Sequence, residues 1–192
     1  MPKRIAAAFL FAIAAALPAQ ATTVIPLTLD EIVASSAVAF AGTCLDAHAE
    51  RDPTSDLIVT YIRFAVHDVL KGDVGATYTV KQIGGELPGE SRGFHVHGVP
   101  SFQAGQEYVV FLAGVSSLGF SSPIGLAQGR FTVVHEQAAD QVSNGRDFRD
   151  MTQNIPDAEL PPGLAAQRNA HAMPRMDLDT FKQLVRSRRG AH

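Results

Sequence analysis

Residues 57–70 read LIVTYIRFAVHDVL, the clearest strand pattern in the chain. Apolar side chains recur at alternate positions, so one face of an extended chain would carry Ile58, Ile62, Phe64, Val66 and Leu70. The opposite face would carry Tyr61, Arg63 and His67. Because successive side chains of a strand point to opposite faces of its sheet, this period of two predicts a half-buried β-strand.

The residues before this stretch predict another strand, with a glycine at its centre. Val38, Phe40, Gly42 and Cys44 alternate with smaller residues, and Gly42 marks a bend or bulge. Cys44 is the only cysteine, so no internal disulfide can form. We predict a buried, unreactive thiol on the same face as Phe40. An intermolecular disulfide and a redox role are the alternatives, although Cys44 has no C-x-x-C partner.

Further strands are predicted downstream. A third surrounds Val80, and residues 107–112 read EYVVFL, a continuous apolar run typical of a strand covered on both faces. Residues 125–134 supply a fifth, and a short additional pairing at residues 141–142 is left open.

Two segments lack any regular period. Residues 84–106 are rich in Gly and Pro and predict a long irregular connection between the third and fourth strands. Residues 144–175 are polar and contain several prolines, a composition that predicts a flexible linker.

Helices are predicted at both ends of the domain. Thr28 and Glu31 form a capping-box pattern for a short helix that ends near residues 35–36. Asp177 is placed to cap a second, amphipathic helix, whose apolar stripe consists of Leu178, Phe181, Leu184 and Val185. The stripe is expected to pack on the sheet, and presentation to a partner on a flexible arm is the alternative.

Together these elements predict an all-β fold, a five-stranded curled OB-like barrel with a two-sheet sandwich as the alternative. The expected organisation is a signal peptide at residues 1–21 and an OB-like β-barrel domain with its N-terminal helix at 22–143. A flexible linker at 144–175 and a C-terminal amphipathic helix at 176–190 follow.

The N-terminus has the pattern of an export signal. Lys3 and Arg4 precede an apolar stretch at residues 5–17, and small residues at Ala19 and Ala21 match a signal-peptidase site. A membrane-spanning helix needs about 20 residues, and this stretch is shorter. A membrane anchor is the alternative interpretation. We therefore predict cleavage after Ala21 and a secreted or periplasmic protein.

Charge argues against a nucleic-acid partner. The formal net charge is −3, whereas a nucleic-acid-binding surface concentrates Lys and Arg to neutralise phosphates. The one basic cluster, Arg186, Arg188 and Arg189, falls in the last turn of the C-terminal helix, where positive charge complements the helix dipole. No transmembrane anchor is expected in the mature chain, and the oligomeric state is not predicted.

Three stretches carry a resemblance to known families. Residues 37–43 (AVAFAGT), 64–72 (FAVHDVLKG) and 105–112 (GQEYVVFL) are similar to an uncharacterised family of exported bacterial proteins. More distantly they resemble the netrin-like module shared with tissue inhibitors of metalloproteases, over roughly residues 37–134. The resemblance implies an OB-type barrel and a protein-binding role. Its motifs consist of strand, turn and glycine residues, so they bear on fold more than on activity.

One departure limits what the resemblance implies. In the metalloprotease inhibitors an N-terminal cysteine of the mature chain ligates the protease zinc, whereas this mature chain is expected to begin at Thr22. That inhibitory chemistry is therefore not carried over, and a protein-binding role is what remains.

His95 and His97 are the candidate metal ligands. Residues two apart on an extended segment point the same way, so both imidazoles could reach one zinc or copper ion. Such a site would need one or two more ligands, for which the candidates are His48, His67, Asp68 and His135. Solvated histidines in a glycine-rich loop are the alternative interpretation.

None of the motifs considered for catalysis indicates an enzymatic reaction. Residues 114–119 (GVSSLG) lack the spacing of a nucleophile elbow, and residues 84–89 (GGELPG) lack the Lys and Ser or Thr of a phosphate loop. The leading hypothesis is a non-enzymatic binding module for a protein partner, with no cofactor, on a face made by residues 84–106 and 115–124. The alternative is a periplasmic metal-binding protein that uses His95 and His97.

Overall fold

The computed structural model describes residues 25–89 and 93–190. Its core is one antiparallel sheet of seven strands in the order β3-β2-β1-β4-β5-β6-β7. The strands are β1 Val38–Arg51, β2 Ile58–Lys71, β3 Thr77–Ile83, β4 Glu107–Leu112, β5 Arg130–Val134, β6 Gln141–Ser143 and β7 Met176–Asp177. The signal peptide predicted at residues 1–21 lies outside the described residues.

The helices are few and mostly short. They are α1 Leu29–Ser35, α2 Phe148–Met151, α3 Leu164–Ala170 and α4 Leu178–Arg188, with 3₁₀ turns at Leu126–Gly129 and Asp157–Glu159. Within the two described ranges, no helix has the length and apolar character needed to cross a membrane. The chain is thus mainly β, as predicted.

The five-stranded barrel is not confirmed, because the sheet has seven strands and does not close. Strands β5 to β7 extend the sheet past β4 instead of returning to β3. Isolated bridges from Lys81 to Phe120 and from Leu112 to Pro123 bring the segment after β4 alongside β3. The β3-β2-β1-β4 half of the sheet is therefore curled, and strands β5 to β7 extend beyond it.

Two hydrophobic clusters pack on opposite faces of the sheet. Strand β4 contributes to both: Val109 and Phe111 belong to the helix-covered cluster. Its other apolar side chains, Tyr108, Val110 and Leu112, belong to the inner cluster of the curled half. The prediction that this run is covered on both faces is confirmed. We call these the helix-side core and the inner core.

A bulged pairing between β1 and β2 redistributes side chains between the two cores. The register shifts between Ala41 and Gly42, and a Cβ on Gly42 would lie 2.5 Å from the Ala65 carbonyl oxygen. Glycine is needed at that close approach. The predicted single apolar face of β2 is corrected here: Phe64 lies in the inner core, whereas Leu70 lies in the helix-side core. The irregular register breaks the strict alternation.

Residues 144–175 differ from the expected flexible linker. They form α2, a 3₁₀ turn and α3, and they add six buried side chains to the helix-side core: Phe148, Met151, Ile155, Leu160, Leu164 and Met173. The apolar residues are spaced irregularly among prolines and polar residues. Their spacing therefore has neither the helix nor the strand period that would predict their burial. The segment is part of the folded domain.

Both predicted helix caps are confirmed. Thr28 and Glu31 form the capping box of α1, and the Asp177 side chain accepts a hydrogen bond from the Thr180 amide at the start of α4. The four apolar side chains predicted for α4 are buried against the sheet: Leu178, Phe181, Leu184 and Val185. Arg188 binds the Asp30 carboxylate through two hydrogen bonds of 2.7 and 3.2 Å, which joins α4 to α1.

Candidate functional site

A concavity lies at one end of the inner core. It measures about 180 Å³. We call it the cleft and define it by Ala47, Thr60, Ile62 and Gln82 on the sheet and by Phe94 and Pro100 on the connection that follows β3. Ala47 and Ile62 are cross-strand partners in β1 and β2, so the sheet forms the floor.

A glycine pair at the end of β3 shapes one wall of the cleft. Gly85 and Phe94 exchange two backbone hydrogen bonds of 2.8 and 2.9 Å, and the Thr60 hydroxyl donates to the Gly84 carbonyl at 2.6 Å. Gly85 has a φ of 147°, and a Cβ there would lie 2.5 Å from Thr60 Oγ1. Only glycine fits this turn.

The opposite wall is fixed by two side chains that bind successive carbonyl groups. Gln82 Nε2 donates to the Pro100 carbonyl at 2.8 Å, and Arg130 Nη1 donates to the Ser101 carbonyl at 2.6 Å. Phe102 follows directly and is only 7% exposed, packed edge-on against aromatic rings of the inner core. The wall is therefore held in place from β3, from β5 and from the core.

Gln82 retains an unused acceptor. Its side chain is 4% exposed, and its Oε1 has no hydrogen-bond partner among the described residues. Arg130 Nε is the other buried side-chain atom in this state within the same ranges. Buried polar atoms are almost always hydrogen-bonded. Because Oε1 has less than 1 Å² of accessible surface, this acceptor is unsatisfied within the packing and is not exposed in the cleft.

The loop between β4 and the following 3₁₀ turn borders the same end of β3. Lys81 Nζ donates to the Leu118 carbonyl at 2.9 Å, and the Ser121 amide donates to the Lys81 carbonyl at 3.0 Å. Ile83 lines both the cleft and a shallow pocket beside this loop. Residues 84–89, 93–102 and 113–122 therefore form one surface around β3, which we call the loop face.

Apolar side chains are exposed on the loop face. Phe94, Val115 and Leu118 are 43%, 61% and 48% exposed. Exposed apolar groups that gather on one surface mark interaction sites more often than isolated ones do.

Beneath the loop face, Asp52 holds a polar network. Its carboxylate accepts hydrogen bonds from the Ser55 amide and hydroxyl at 2.8 and 2.7 Å and from the Tyr61 hydroxyl at 3.1 Å. Lys81 Nζ lies 2.7 Å from the same carboxylate. The Lys81 hydrogen bond, followed by those from Ser55, holds the pKa of Asp52 well below its usual range. Burial, followed by the hydrogen bond to Asp52, raises the pKa of Tyr61.

The structure does not assemble the expected ligands around His95 and His97. Both imidazoles are exposed, and His95 Nε2 lies 3.1 Å from Glu86 Oε1. Across residues 25–89 and 93–190, no group of three or more His, Cys, Asp or Glu side chains could hold a metal ion.

The other candidate ligands contact different partners. His67 is hydrogen-bonded to Thr43, His48 lies beside Asp46, His135 lies between Glu107 and Asp140, and Asp68 pairs with Arg186 and Lys182.

Sequence reasoning missed Gln82 and the Asp52–Lys81 pair. Gln82 follows Tyr78 and Val80 at the inward-facing positions of β3. A polar residue at the third inward-facing position of a strand indicates a buried side chain that must find a hydrogen-bond partner, and this signal could have identified Gln82.

No protein-family model, curated protein or solved structure matches this chain.

Proposed function

We propose that this chain is an exported, non-enzymatic binding module that holds a protein partner on the loop face. The observation that carries the proposal is the cleft, a preformed and mainly apolar depression, together with the exposed apolar side chains on the loops beside it. Export is supported by the charged and apolar pattern of residues 3–21.

The scaffold suits such a role. Binding residues are commonly found on loops that a rigid sheet positions, and here two loops meet around one strand. Lys81 fixes one loop to β3, and Gln82 fixes the other. Because these contacts hold the loops in one arrangement, less ordering entropy is lost when a partner binds.

The polar groups at the cleft favour a binding role over a catalytic one. The Thr60 hydroxyl is occupied by the Gly84 carbonyl, and the His95 imidazole at the rim lies beside Glu86. A nucleophile needs an adjacent base oriented by a third group. The resemblance of the strand and turn motifs to the netrin-like module adds a fold-level argument for a protein partner.

The test is affinity capture with matched surface variants. Mature protein beginning at Thr22 is immobilised and exposed to periplasmic and culture-medium fractions of its native host. The loop-face variant carries Phe94→Ser and Leu118→Ser. The control variant carries Val69→Ser and Val134→Ser, which remove two exposed apolar side chains outside the loop face.

We expect a protein that wild type and the control variant retain and the loop-face variant loses. Equal recovery by both variants, or recovery of nothing above background, contradicts the proposal. Turnover of a substrate by the pure protein would place it among enzymes instead.

A further inference from the structure

Strand β1 extends well beyond one of its two neighbours. Its pairing with β4 covers Val38 to Thr43, and the last backbone bonds on that side join Cys44 to the segment just before β4. Its pairing with β2 continues to Arg51. From Asp46 to Arg51 the strand is therefore paired on one side only. We call this stretch the β1 edge.

The register shows which backbone groups face outward from the β1 edge. The Gly84 amide donates to the Ile58 carbonyl, so Ile58 and every second residue after it bond to β3 and not to β1. Their cross-strand neighbours on β1 are Arg51, Ala49 and Ala47. The N–H and C=O groups of these three residues therefore point away from β2. Among the described residues, none of them has a backbone hydrogen-bond partner.

The β1 edge is accessible to another strand. Ala47, His48, Glu50 and Arg51 are exposed, and Leu45 just before them is 42% exposed. Proline and lysine, which commonly block pairing at the edge of a sheet, are absent from residues 45–51. An exposed row of unpaired N–H and C=O groups is a template to which an extended segment can add.

The side chains of the β1 edge decide which strand fits beside it. Asp46, His48 and Glu50 lie together on the outer face, whereas Ala47 lies on the opposite face, in the floor of the cleft. Like charges directly opposite each other on neighbouring strands are destabilising, and opposite charges are stabilising. The carboxylates therefore disfavour most acidic segments and favour a strand that sets a cation against Glu50.

A second copy of the β1 edge meets this requirement when the two copies run antiparallel about Ala49. Ala49 then faces its own copy, and Ala47 faces Arg51 of the second copy. Each facing pair exchanges two backbone hydrogen bonds, as in any antiparallel ladder. On the outer face His48 lies opposite Glu50 of the second copy, and symmetry repeats this pair.

Neighbouring registers lack this match. Sliding one copy by two residues is the smallest shift that keeps the faces aligned, and it sets Asp46 against Glu50 or Glu50 against itself. Both shifts oppose carboxylates. In the centred register Asp46 faces Asp52, but the Asp52 carboxylate is 2% exposed and bound to Lys81 beneath the loop face.

We infer that the β1 edge pairs with the β1 edge of a second copy of this chain, antiparallel and centred on Ala49. The pairing joins the two seven-stranded sheets into one across a two-fold axis. It uses backbone groups of β1 that the protein's own sheet leaves unpaired.

The test begins with the association state of the mature protein that starts at Thr22. Sedimentation velocity is measured from micromolar to millimolar protein at about pH 6, where histidine side chains are largely protonated. We expect a concentration-dependent equilibrium between monomer and dimer. Amide hydrogen exchange at residues 47, 49 and 51 should slow as the dimer forms. The amides of residues 48 and 50, which face β2, should change little.

Charge variants test the register. Glu50→Lys turns two opposite-charge pairs into like-charge pairs and should weaken the dimer by about tenfold or more. Adding His48→Glu restores opposite charges in the exchanged order and should recover the affinity of wild type. Asp179→Lys makes the same change of charge at a side chain of α4 that is 94% exposed, and it should dimerise as wild type does.

A proline variant tests the backbone bonds. Ala47→Pro removes an N–H group that points away from β2, so the protein's own ladder is retained while the dimer loses hydrogen bonds. We expect a monomer at concentrations where wild type is dimeric, with an unchanged circular dichroism spectrum. If Ala47→Pro does not fold, Glu50→Lys and its rescue by His48→Glu decide alone.

Several outcomes overturn the inference. They are a wild type that stays monomeric at millimolar concentration, a Glu50→Lys variant that dimerises as wild type does, and failure of the exchanged pair to restore the dimer. Concentration-dependent protection confined to residues outside the β1 edge would also overturn it. The proposed function does not depend on this dimer, because partner capture on the loop face can be measured with Glu50→Lys.

Discussion

Lys81 Nζ lies 2.7 Å from the Asp52 carboxylate, and this contact ties the β1–β2 turn to β3 directly beneath the loop face. The two side chains are 11% and 2% exposed. Lys81 also donates to the Leu118 carbonyl and lies 4.6 Å from the Phe120 ring centre. One ammonium group therefore positions the turn, the strand and a loop of the binding surface together.

Acid should weaken the fold through Asp52. Its pKa is lowered in the folded state, so its contribution to stability is present above the unfolded pKa of about 3.9 and is lost as the pH falls below it. Asp52→Asn should flatten the fall in unfolding free energy below about pH 4. Urea unfolding at a series of pH values measures this. Asp179→Asn, at a side chain that is 94% exposed, is the matched control. If the unfolding free energy of Asp52→Asn fell as steeply at acid pH as that of wild type, Asp52 would not be the group responsible.

Lys81→Met should disturb the loop face before it unfolds the domain. It removes the ammonium group that binds Asp52 and the Leu118 carbonyl but keeps most of the apolar stem. We expect faster hydrogen exchange at residues 116–121 than in wild type. Lys182→Met is the control, since its charge lies on α4 beside Asp68. Unchanged exchange in this loop would show that Lys81 does not hold it.

The C-terminal helix should be essential for stability. Phe181 is fully buried, and its ring centre lies 4.7 Å from that of Phe131 and 5.6 Å from that of Phe148. Phe181→Ala should cost about 3–5 kcal/mol of unfolding free energy, a typical value for a buried Phe. Gln183→Ala, at an exposed position of the same helix, should cost far less. Limited proteolysis of wild type should leave residues 177–189 protected, and early cleavage there would contradict the packing.

Cys44 should be slow to react. It is fully buried in the inner core, and burial, with a smaller effect from Asp46, raises the pKa of its thiol. Only the thiolate is nucleophilic, so labelling of the native protein should be much slower than labelling in denaturant. Cys44→Ala should cost on the order of 1 kcal/mol, because it leaves a small void. Rapid labelling of Cys44 in the native protein, or a dimer linked through a Cys44 disulfide, would contradict the register that buries Cys44 in β1.

Metal titration addresses the alternative function. His95 is paired with Glu86, and the other proposed ligands have partners elsewhere. We therefore expect weak zinc and copper uptake, below one ion per chain. Stoichiometric uptake that disappears in the double variant His95→Ala, His97→Ala would restore the metal hypothesis.

Local rules predicted the elements whose side chains follow a regular period. Sequence predicted the capping residues Thr28 and Asp177 and the buried strand at residues 107–112. These features depend only on residues that are close together in the sequence. Cys44 and Phe40 were assigned to the correct core for the same reason.

Features that depend on distant residues could not be predicted in this way. Strand β7 has two residues, too few for any period, and pairs with β6 only after a segment of more than thirty residues. Phe148 is buried because the rings of Phe131 and Phe181 pack against it, not because of its neighbours in sequence. The cleft depends on Gln82 meeting Pro100, eighteen residues away.

The pairing of Arg188 with Asp30 spans 158 residues, nearly the whole domain. A chain that lacks α4 would leave the phenylalanine rings of the helix-side core without Phe181, which packs against three of them. The helix-side core is therefore completed only after α4 has been synthesised, since contacts between residues far apart in sequence form only once both are present. Until α4 is present, a nascent chain with this layout exposes an incomplete hydrophobic core.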